Sequence, residues 1–373
     1  MRVLMLSCNT GEGHNSTGKA IMEAMDRQGI QSEMMDALSF LSPKFSDFIC
    51  KWFVRLYRYA PKLFDVGYRM AEQNPVEPGE TDLVYEALAF GAEKLQQILE
   101  SGSYDAIVCV HVFSGMMVTE LRRQGKVTIP CFLTATDYSC VPYTEQCEAD
   151  GYFIPARSMV GEFAAAGLPR EKLFPYGIPV RGLFYSRRPR QEARALLGLP
   201  ENGTVALLMC GSMGCGPMRK IARGLAESLP ENGTLVVFCG RNERLREALE
   251  DLQSPRFRVL GFTQDVPDYM DAANMMITKP GGLSSTEAAN KHLPMVLINA
   301  IGGCEMRNFE LFLEHGYAVG SKSAAEVLAL SRQLFEHPEQ LEQMEENMRR
   351  DFTCNSADEI ALHVIRAVSR RSK

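Results

Sequence analysis

Short apolar runs alternate with helix-like stretches along the whole chain, and this alternation constrains the fold more than any other feature. One series of runs covers residues 2–8, 105–112, 129–137 and 149–156. A second series covers 204–214, 234–240, 257–262, 274–282 and 293–299. Strands that alternate with helices in this way are typical of parallel sheets covered by helices on both faces. The sequence therefore predicts an α/β protein.

The second series restarts the pattern of the first, because each series has a glycine-rich stretch directly after its first apolar run. We therefore predict two Rossmann-like domains, one in residues 1–180 and one in 181–355. The segment 179–203 carries prolines and a charge cluster but no strand signal, which is typical of a boundary. Ligands of parallel sheets bind beyond the carboxyl ends of the strands, so two such domains are expected to face a central cleft.

Composition narrows the class of protein further. The 373 residues exceed what one small core needs, and a net charge of −6 gives no global field that would favour nucleic acid. The first eight residues lack the pattern of a signal peptide, and no run approaches the roughly 18 apolar residues of a membrane-spanning helix. The 11 cysteines form no C-x-x-C pair. These features predict a reduced, cytoplasmic protein without a zinc site or disulfide framework.

Residues 13–20 read G-x-x-x-x-G-K-A, one residue away from the phosphate-binding P-loop motif. Ala20 stands where a hydroxyl group should hold magnesium. The helical pattern begins near Ser16 or Thr17, so Lys19 is expected inside the helix and pointing sideways. The resemblance to a P-loop is therefore interpreted as accidental.

The same stretch contains Gly11, Gly13 and His14 between the first strand and the first helix. The two glycines predict a tight bend that lets a ligand approach closely. A helix N-terminus lowers the pKa of a nearby histidine, and a neutral imidazole can act as a general base. The alternative is a histidine that only caps or packs the loop.

Residues 278–308 contain a strand end, a bend at Pro280–Gly282 and a helix expected to start near Ser284 or Ser285. The N–H groups at such a helix start bind anions. A second glycine-rich stretch, 210–216, offers further backbone donors. A diphosphate held between these two loops needs no metal ion.

Six segments, in order, carry a resemblance that covers most of the chain: NTGEGHNSTGKAI, DAIVCVHVFSG, PCFLTATDY, GFTQDVPDYM, TKPGGLSSTEAANKHLPMVL and GGCEMRNFELFLEHGYAV. The sequence resembles the glycosyltransferase family of monogalactosyldiacylglycerol synthases and bacterial processive diacylglycerol glucosyltransferases. It is similar more distantly to the N-acetylglucosaminyltransferase that makes lipid II. The resemblance implies the GT-B fold and inverting transfer of glucose or galactose from UDP-glucose or UDP-galactose to diacylglycerol or a glycosyl-diacylglycerol, without a metal ion. By analogy, a helix at 356–373 packs back on the first domain.

The resemblance also assigns donor-binding residues. Glu287 is expected to bind the ribose of UDP, although Ser284 and Glu287 also fit a capping box that needs no ligand. Phe262 is expected to line the uracil pocket, the alternative being an ordinary aromatic residue of the core. The residues expected around the diphosphate are Gly211, Ser212, Gly281, Gly282 and Ser284.

Glu305 and Asn308 are expected to contact the hexose or the phosphate beside it. Glu305 is alternatively a first-turn helix acid with no further role. Cys304 stands where many relatives have glutamine, which leaves the choice between glucose and galactose open.

Residues 45–63 form an amphipathic pattern with aromatic and basic residues on different faces. Trp52 and Phe53 belong to the apolar face, and Arg55 and Arg58 to the basic face. Such a helix suits the surface of an anionic membrane, here the inner face of the cell membrane. A core helix with a solvated basic edge is the alternative.

In the mechanism that this implies, His14 removes the proton of the acceptor hydroxyl group. Asp137 orients His14 or shares its role, or else only caps a turn. His111 shapes the acceptor pocket, unless it is a buried structural histidine. Two other functions stay open: a UDP-N-acetylglucosamine 2-epimerase and a non-catalytic UDP-sugar sensor.

Overall fold

The computed structural model describes residues 1–9, 12–41, 83–214, 216–298 and 303–371, with only the backbone described for 83–90. The chain divides into two compact units. Unit 1 comprises Met1–Gly182, Gly302–Cys304 and Cys354–Lys373, and unit 2 comprises Leu183–Ile301 and Glu305–Thr353. The predicted boundary after residue 180 lies two residues before the observed division.

Unit 1 is built on a parallel sheet of six strands with helices beside it. Its strands are β1 (Arg2–Ser7), β2 (Gln31–Asp36), β3 (Ala106–Cys109), β4 (Cys131–Thr134), β5 (Gly151–Phe153) and β6 (Leu173–Phe174). Its helices are α1 (Glu12–Arg27), α2 (Leu83–Gly102), α3 (Val112–Arg123), α4 (Val160–Ala165) and, at the other end of the chain, α13 (Ser356–Arg371). Short 3-10 turns lie at Ala37–Phe40, Thr144–Gln146, Arg157–Met159 and Arg170–Lys172, and another, Gly182–Phe184, spans the division between the units.

Unit 2 repeats this plan with a second parallel sheet of six strands. Its strands are β7 (Val205–Met209), β8 (Thr234–Phe238), β9 (Phe257–Leu260), β10 (Met275–Thr278), β11 (Met295–Ile298) and β12 (Ala318–Ser321). Its helices are α5 (Arg190–Leu197), α6 (Met218–Ser228), α7 (Glu243–Glu247), α8 (Val266–Ala272), α9 (Gly282–Asn290), α10 (Cys304–Glu314), α11 (Ala324–Glu336) and α12 (Pro338–Asp351), with a 3-10 turn at Glu250–Leu252. The predicted α/β class with two Rossmann-like sheets is confirmed.

The central strands of both sheets are apolar and buried, as is typical of parallel sheets covered by helices, whereas β2, β9 and β12 at the sheet edges are partly polar or half-buried. All five residues of β7 are buried, and so are Val3–Leu6 of β1. The strand register aligns the carboxyl ends of neighbouring strands: Val3 pairs with Ala106 and Leu6 with Cys109, so β1 and β3 end side by side. Met209 pairs with Thr278, which does the same for β7 and β10.

Strand order reverses once in each sheet. In unit 1 the order is β2-β1-β3-β4-β5-β6, so the chain changes direction between β1 and β3. In unit 2 the order is β12-β11-β10-β7-β8-β9, and the change lies between β7 and β10. Segments that follow the two strands at such a reversal diverge and leave room for a ligand. Each unit therefore has one place where a site is expected.

Helix α13 belongs to unit 1. Arg27 of α1 forms an ion pair with Asp358 at 2.6 Å, and the Tyr176 hydroxyl lies 3.0 Å from Nδ1 of His363. The side chain of His363 also contacts the rings of Phe153 and Phe174. Among the described helices, none combines the length and the apolar character that crossing a bilayer requires.

Two helix starts differ from the sequence-based expectation. Helix α1 begins at Glu12, not near Ser16, so His14 lies in its first turn instead of before it. Gly13 is also helical, and a Cβ atom there would contact nothing within 4 Å, so the expectation that it forms a bend is wrong. Lys19 lies exposed in the middle of α1, which agrees with the rejection of a P-loop.

Helix α9 begins at Gly282, and its N-cap is Gly281, which makes no side-chain cap hydrogen bond. Ser284 is thus the third residue of the helix and not its cap. The capping-box interpretation of Ser284 and Glu287 is therefore wrong. A glycine with extended backbone angles (φ −77°, ψ 135°) suffices to start this helix.

Candidate functional site

The strand-order reversal of unit 1 brings two histidines together. His14 lies in the first turn of α1, after β1, and His111 is the N-cap of α3, after β3. Their ring centroids are 4.6 Å apart in an edge-to-face arrangement. Both side chains are half-buried. The sequence predicted a role for each histidine but gave no indication that the two rings touch.

The hydrogen bonds of His14 determine its tautomer. Its Nδ1 lies 2.9 Å from the carbonyl oxygen of Val110, which can only accept a hydrogen bond, so Nδ1 carries the proton. The hydroxyl oxygen of Thr136 lies 3.2 Å from the same nitrogen. Burial lowers the pKa of His14, and the Val110 carbonyl offsets this in part. A neutral ring with its proton on Nδ1 has an available lone pair on Nε2.

His111 has the opposite tautomer. The backbone N–H of Phe113 donates a hydrogen bond to His111 Nδ1 at 3.1 Å, so in the neutral ring the proton is on Nε2. Burial, followed by the proximity of His14, holds the pKa of His111 well below its ordinary value. Two neutral imidazoles therefore lie side by side, one with an acceptor Nε2 and one with a donor Nε2.

Backbone and polar contacts fix the segments around this pair. Ser114 Oγ donates to the carbonyl oxygen of Leu6 at 3.1 Å, which ties the start of α3 to β1. Ser7 Oγ donates to Asn15 Oδ1 at 2.7 Å, and the Asn9 N–H donates to Asp36 Oδ1 at 3.1 Å. These contacts position α1 and the residues that follow β1.

The other predicted residues of unit 1 divide into two groups. Asp137 is half-buried, three residues after the end of β4, and its predicted role toward His14 stays a prediction. Thr136, to which the sequence pattern assigned no role, lies two residues after β4 and is the residue of this segment found near His14. The remaining predicted residues lie outside the described residues: Gly11, Trp52, Phe53, Arg55 and Arg58.

In unit 2, the loop after β7 contains a glycine turn that is held by hydrogen bonds from the loop after β8. Gly211 has φ +71°, a conformation that favours glycine. The Arg241 N–H donates to the carbonyl oxygen of Ser212 at 2.9 Å, and Asn242 Nδ2 donates to that of Gly214 at 2.9 Å. Gly240 packs directly on the Ser212 backbone, where a Cβ atom would collide with the carbonyl oxygen. The loop after β8 therefore braces the predicted diphosphate loop.

The loop after β10 lies on the other side of the same reversal. Gly281 and Gly282 lead directly into α9, whose first N–H groups have no partner within the helix. Ser284 and Glu287 of this helix are half-buried. Asn308 is fully buried, and its Nδ2 donates to the Pro280 carbonyl oxygen at 3.0 Å. In this structure Asn308 holds the bend, and a contact of Asn308 with sugar stays a prediction.

Lys279, to which no sequence motif assigned a role, lies beside both of these loops. Lys279 Nζ lies 2.6 Å from Glu305 Oε1, with side-chain exposures of 22% and 8%. Its Cε would lie 3.4 Å from a Cβ atom on Gly211 and 3.7 Å from one on Gly281. Glu305 lies in the first turn of α10 as expected, but the ion pair excludes the interpretation that it has no further role. Cys304, the first residue of α10, is half-buried.

Phe262 lies beyond the end of β9 with 59% of its surface exposed, so the core interpretation is wrong. The guanidinium group of Arg241 lies 5.2 Å from the centroid of its ring. An exposed aromatic ring beside the braced glycine loop is available for stacking. In the part of the chain that the structure describes, no group of three or more His, Cys, Asp or Glu residues could hold a metal ion.

Comparisons with known proteins match both units. Residues 14–180 match the family model described as monogalactosyldiacylglycerol (MGDG) synthase, and residues 205–361 match the glycosyltransferase family 28 C-terminal domain. The chain is 27% identical over 353 residues to a processive diacylglycerol beta-glucosyltransferase of Bacillus cereus (strain B4264), which covers 93% of this chain and 89% of the relative. Over its two units the chain is similar to MGDG synthases, glycosyltransferases of family 28 and processive diacylglycerol glucosyltransferases. It is a glycosyltransferase.

Solved structures confirm the GT-B fold of this glycosyltransferase. MurG of Acinetobacter baumannii superposes with a TM-score of 0.64 at 15% identity, covering 98% of this chain and 99% of that one. A UDP-GlcNAc 2-epimerase of Neisseria meningitidis superposes with a TM-score of 0.60 at 14% identity, with the same coverage. Because MurG and a UDP-GlcNAc 2-epimerase share this fold, the fold alone does not identify the function. The assignment as a glycosyltransferase depends on the sequence matches.

Proposed function

We propose that the chain transfers a glucose or galactose residue, with inversion, from a UDP-sugar to the hydroxyl group of diacylglycerol or a glycosyl-diacylglycerol. The acceptor class is taken from the MGDG synthase family that matches unit 1 and from the diacylglycerol glucosyltransferase of Bacillus cereus. The donor class follows the family resemblance of the sequence. Both are consistent with the chemistry of the two strand-order reversals.

The observation that carries this proposal is the tautomer of His14. An inverting transfer needs a base that takes the hydroxyl proton as the oxygen attacks the anomeric carbon. With Nδ1 donating to Val110, the Nε2 of a neutral His14 can accept that proton. The N–H of His111, 4.6 Å away between centroids, supplies a hydrogen-bond donor to the same acceptor group.

The donor half of the proposal rests on unit 2. The uracil stacks on exposed Phe262, the ribose hydroxyls bind Glu287, and the diphosphate lies between the Gly211–Ser212 turn and the start of α9. As UDP leaves, negative charge develops on the diphosphate. The helix N-terminus stabilises that charge, and preorganised donors of this kind are usually the largest catalytic contribution. The reaction is proposed to need no metal ion.

The acceptor is a lipid, so the proposal includes binding to the inner face of an anionic cell membrane. The segment proposed for this contact, 45–63, lies outside the described residues and is supported by its sequence pattern alone. The pattern combines a single tryptophan with basic residues at helical spacing, which suits an interfacial helix.

Mass spectrometry of lipids tests the proposal. The protein is incubated with diacylglycerol-containing vesicles and an equimolar mixture of UDP-glucose, UDP-galactose and UDP-N-acetylglucosamine. Diacylglycerol carrying one or more hexose residues is the expected product, and the sugar transferred identifies the donor. An epimerised UDP-sugar without glycolipid would instead indicate an isomerase, and UDP-sugar binding with no product of either kind would indicate a sensor.

A further inference from the structure

Lys279 occupies a distinctive place in unit 2. It directly follows β10, one of the two strands at the reversal, and the end of its side chain lies beside both glycine loops. A Cβ atom on Gly211 would lie 3.4 Å from its Cε, and one on Gly281 would lie 3.8 Å from its Nζ. The side chain retains 22% exposure, so a ligand can reach it.

Its observed partner is a carboxylate that is more deeply buried. Glu305 Oε1 accepts from Lys279 Nζ at 2.6 Å and lies about 4.0 Å from the same Gly281 Cβ position. Removing two charges from water is costly, and a close ion pair recovers that cost only in good geometry. The pair therefore keeps both charges compensated while no ligand is bound.

We propose that Lys279 exchanges partners when the donor binds: its ammonium group moves from Glu305 to the diphosphate, and Glu305 becomes an acceptor for a hexose hydroxyl group. This inference rests on the proposed function. An ammonium group is a strong partner for phosphate, and a carboxylate accepts strong hydrogen bonds from hydroxyl groups. The exchange couples recognition of the diphosphate to recognition of the sugar, so UDP alone completes only half of it.

The exchange gives the two residues opposite effects on UDP affinity. Lys279→Met removes a charge-assisted contact with the diphosphate and should weaken UDP binding about 10- to 100-fold, with uridine binding unchanged. Glu305→Gln removes the competing carboxylate and should tighten UDP binding by up to about 5-fold. The same Glu305→Gln change should lower kcat/KM for the UDP-sugar about 10-fold, because the charged acceptor for the hexose is lost.

Titration calorimetry of the full chain with UDP, UMP and uridine measures these effects. Lys279→Arg, which keeps the charge, should recover most of the UDP affinity that Lys279→Met loses. Lys126→Met, an exposed lysine of unit 1, controls for the loss of one positive charge. Melting temperatures identify a single variant that has unfolded. The double variant Lys279→Met with Glu305→Gln then replaces it in the binding measurements, because it removes both charges of the ion pair together.

The outcomes are distinct. If the wild type and Lys279→Met bind UDP with equal affinity, the partner exchange is wrong, but the proposed function is not contradicted. Loss of UDP affinity in both Lys279→Met and Glu305→Gln indicates a purely structural ion pair and also overturns the exchange. Wild-type protein that does not bind UDP at all contradicts the proposed function itself.

Discussion

At the strand-order reversal of unit 1 lie two neutral imidazoles, whereas that of unit 2 holds an ammonium group, a carboxylate and a glycine-braced loop. In unit 1, backbone groups fix the protons of both rings: the Val110 carbonyl holds that of His14, and the Phe113 N–H directs that of His111. In unit 2, charge dominates, because Lys279 and Glu305 form an ion pair beside the start of α9.

The two sheets have the same number of strands and the same kind of reversal, so topology alone does not assign a chemical role. The difference comes from the few residues that directly follow the strands at each reversal. Neutral histidines suit proton transfer, and a cation with backbone N–H groups suits a diphosphate. Under the proposed function, this division places acceptor activation in unit 1 and donor binding in unit 2.

The largest expected effect separates proton transfer from donor binding. His14→Ala should lower kcat by about 10²–10⁴-fold, because the base is lost, and should leave the Kd for UDP unchanged. Single-turnover transfer and a UDP titration on the same preparation measure both quantities.

His315 provides the matched control for that variant. Its Nδ1 also lies 2.9 Å from a backbone carbonyl oxygen, that of Leu311, but it belongs to unit 2 at the end of α10. His315→Ala should retain the wild-type kcat. A His14→Ala variant with a near-normal rate would remove His14 from the mechanism.

A second prediction concerns the brace behind the donor loop. Gly240 has φ +58°, and a Cβ atom there would collide with the Ser212 carbonyl oxygen. Gly240→Ala should displace the Gly211–Ser212 turn and weaken UDP binding by about 10- to 100-fold, with a loss of stability of roughly 1–3 kcal/mol. Calorimetric titration and thermal unfolding measure the two effects.

Gly203→Ala separates these effects. Gly203 has φ +99° and packs equally tightly against the Asn232 carbonyl oxygen. It precedes β7, however, and therefore lies at the amino-terminal ends of the strands, whereas the predicted diphosphate loop lies at their carboxyl ends. The Gly203→Ala variant should lose similar stability and keep its affinity for UDP. Equal losses of UDP affinity in both variants would contradict the role assigned to Gly240.

Much of this architecture is predictable from the sequence, because apolar runs and glycine-rich turns are local signals. The strand runs, the glycine loops at 210–216 and 280–282, and the family relationship all follow from contiguous residues. Helix starts were less predictable. The segment 281–285 contains glycines and serines, several of which could be the N-cap, and in the structure the N-cap is Gly281.

Contacts between distant segments were not predictable from local signals. Lys279 and Glu305 are 26 residues apart and meet only because α10 returns to the end of β10. The tautomers of His14 and His111 depend on partners contributed by other segments or by the backbone. For Phe262, the end of a strand suggested either a pocket or the core, and only its 59% exposure excludes the core.

A third prediction tests the base-binding part of unit 2. Phe262→Ala should weaken UDP and uridine binding by about 10-fold, because base stacking on an aromatic ring is lost. Its exposed position means that stability should change little. Leu196→Ala, at 60% exposure on the same unit, is the control for loss of exposed apolar surface. Equal nucleoside affinity in wild type and Phe262→Ala would exclude the stacking role.

A smaller effect is expected in the pH profile of kcat/KM. As pH falls through the pKa of His14, its Nε2 gains a proton and loses the lone pair, so the rate should fall. Because burial lowers this pKa, the acid limb should have its midpoint below about pH 6.5, the ordinary value for histidine. A midpoint above that value would show that the titrating group is not a buried neutral His14.

The smallest expected effect is that of metal removal. If the start of α9 and Lys279 stabilise the leaving diphosphate, dialysis against EDTA should leave the transfer rate unchanged. Added Mg²⁺ or Mn²⁺ should not raise it. If EDTA abolishes transfer and a divalent cation restores it, a metal ion and not unit 2 stabilises the charge on the leaving diphosphate.

A base role for His14 requires that unit 1 provides a neutral imidazole with an unprotonated Nε2. ¹⁵N NMR of histidine-labelled protein at neutral pH tests this directly, with the His14 signals identified from their absence in His14→Ala. We predict two neutral rings of opposite tautomer, with the proton of His14 on Nδ1 and that of His111 on Nε2. A His14 ring that carries its proton on Nε2, or on both nitrogens, would contradict the role of His14 as the base.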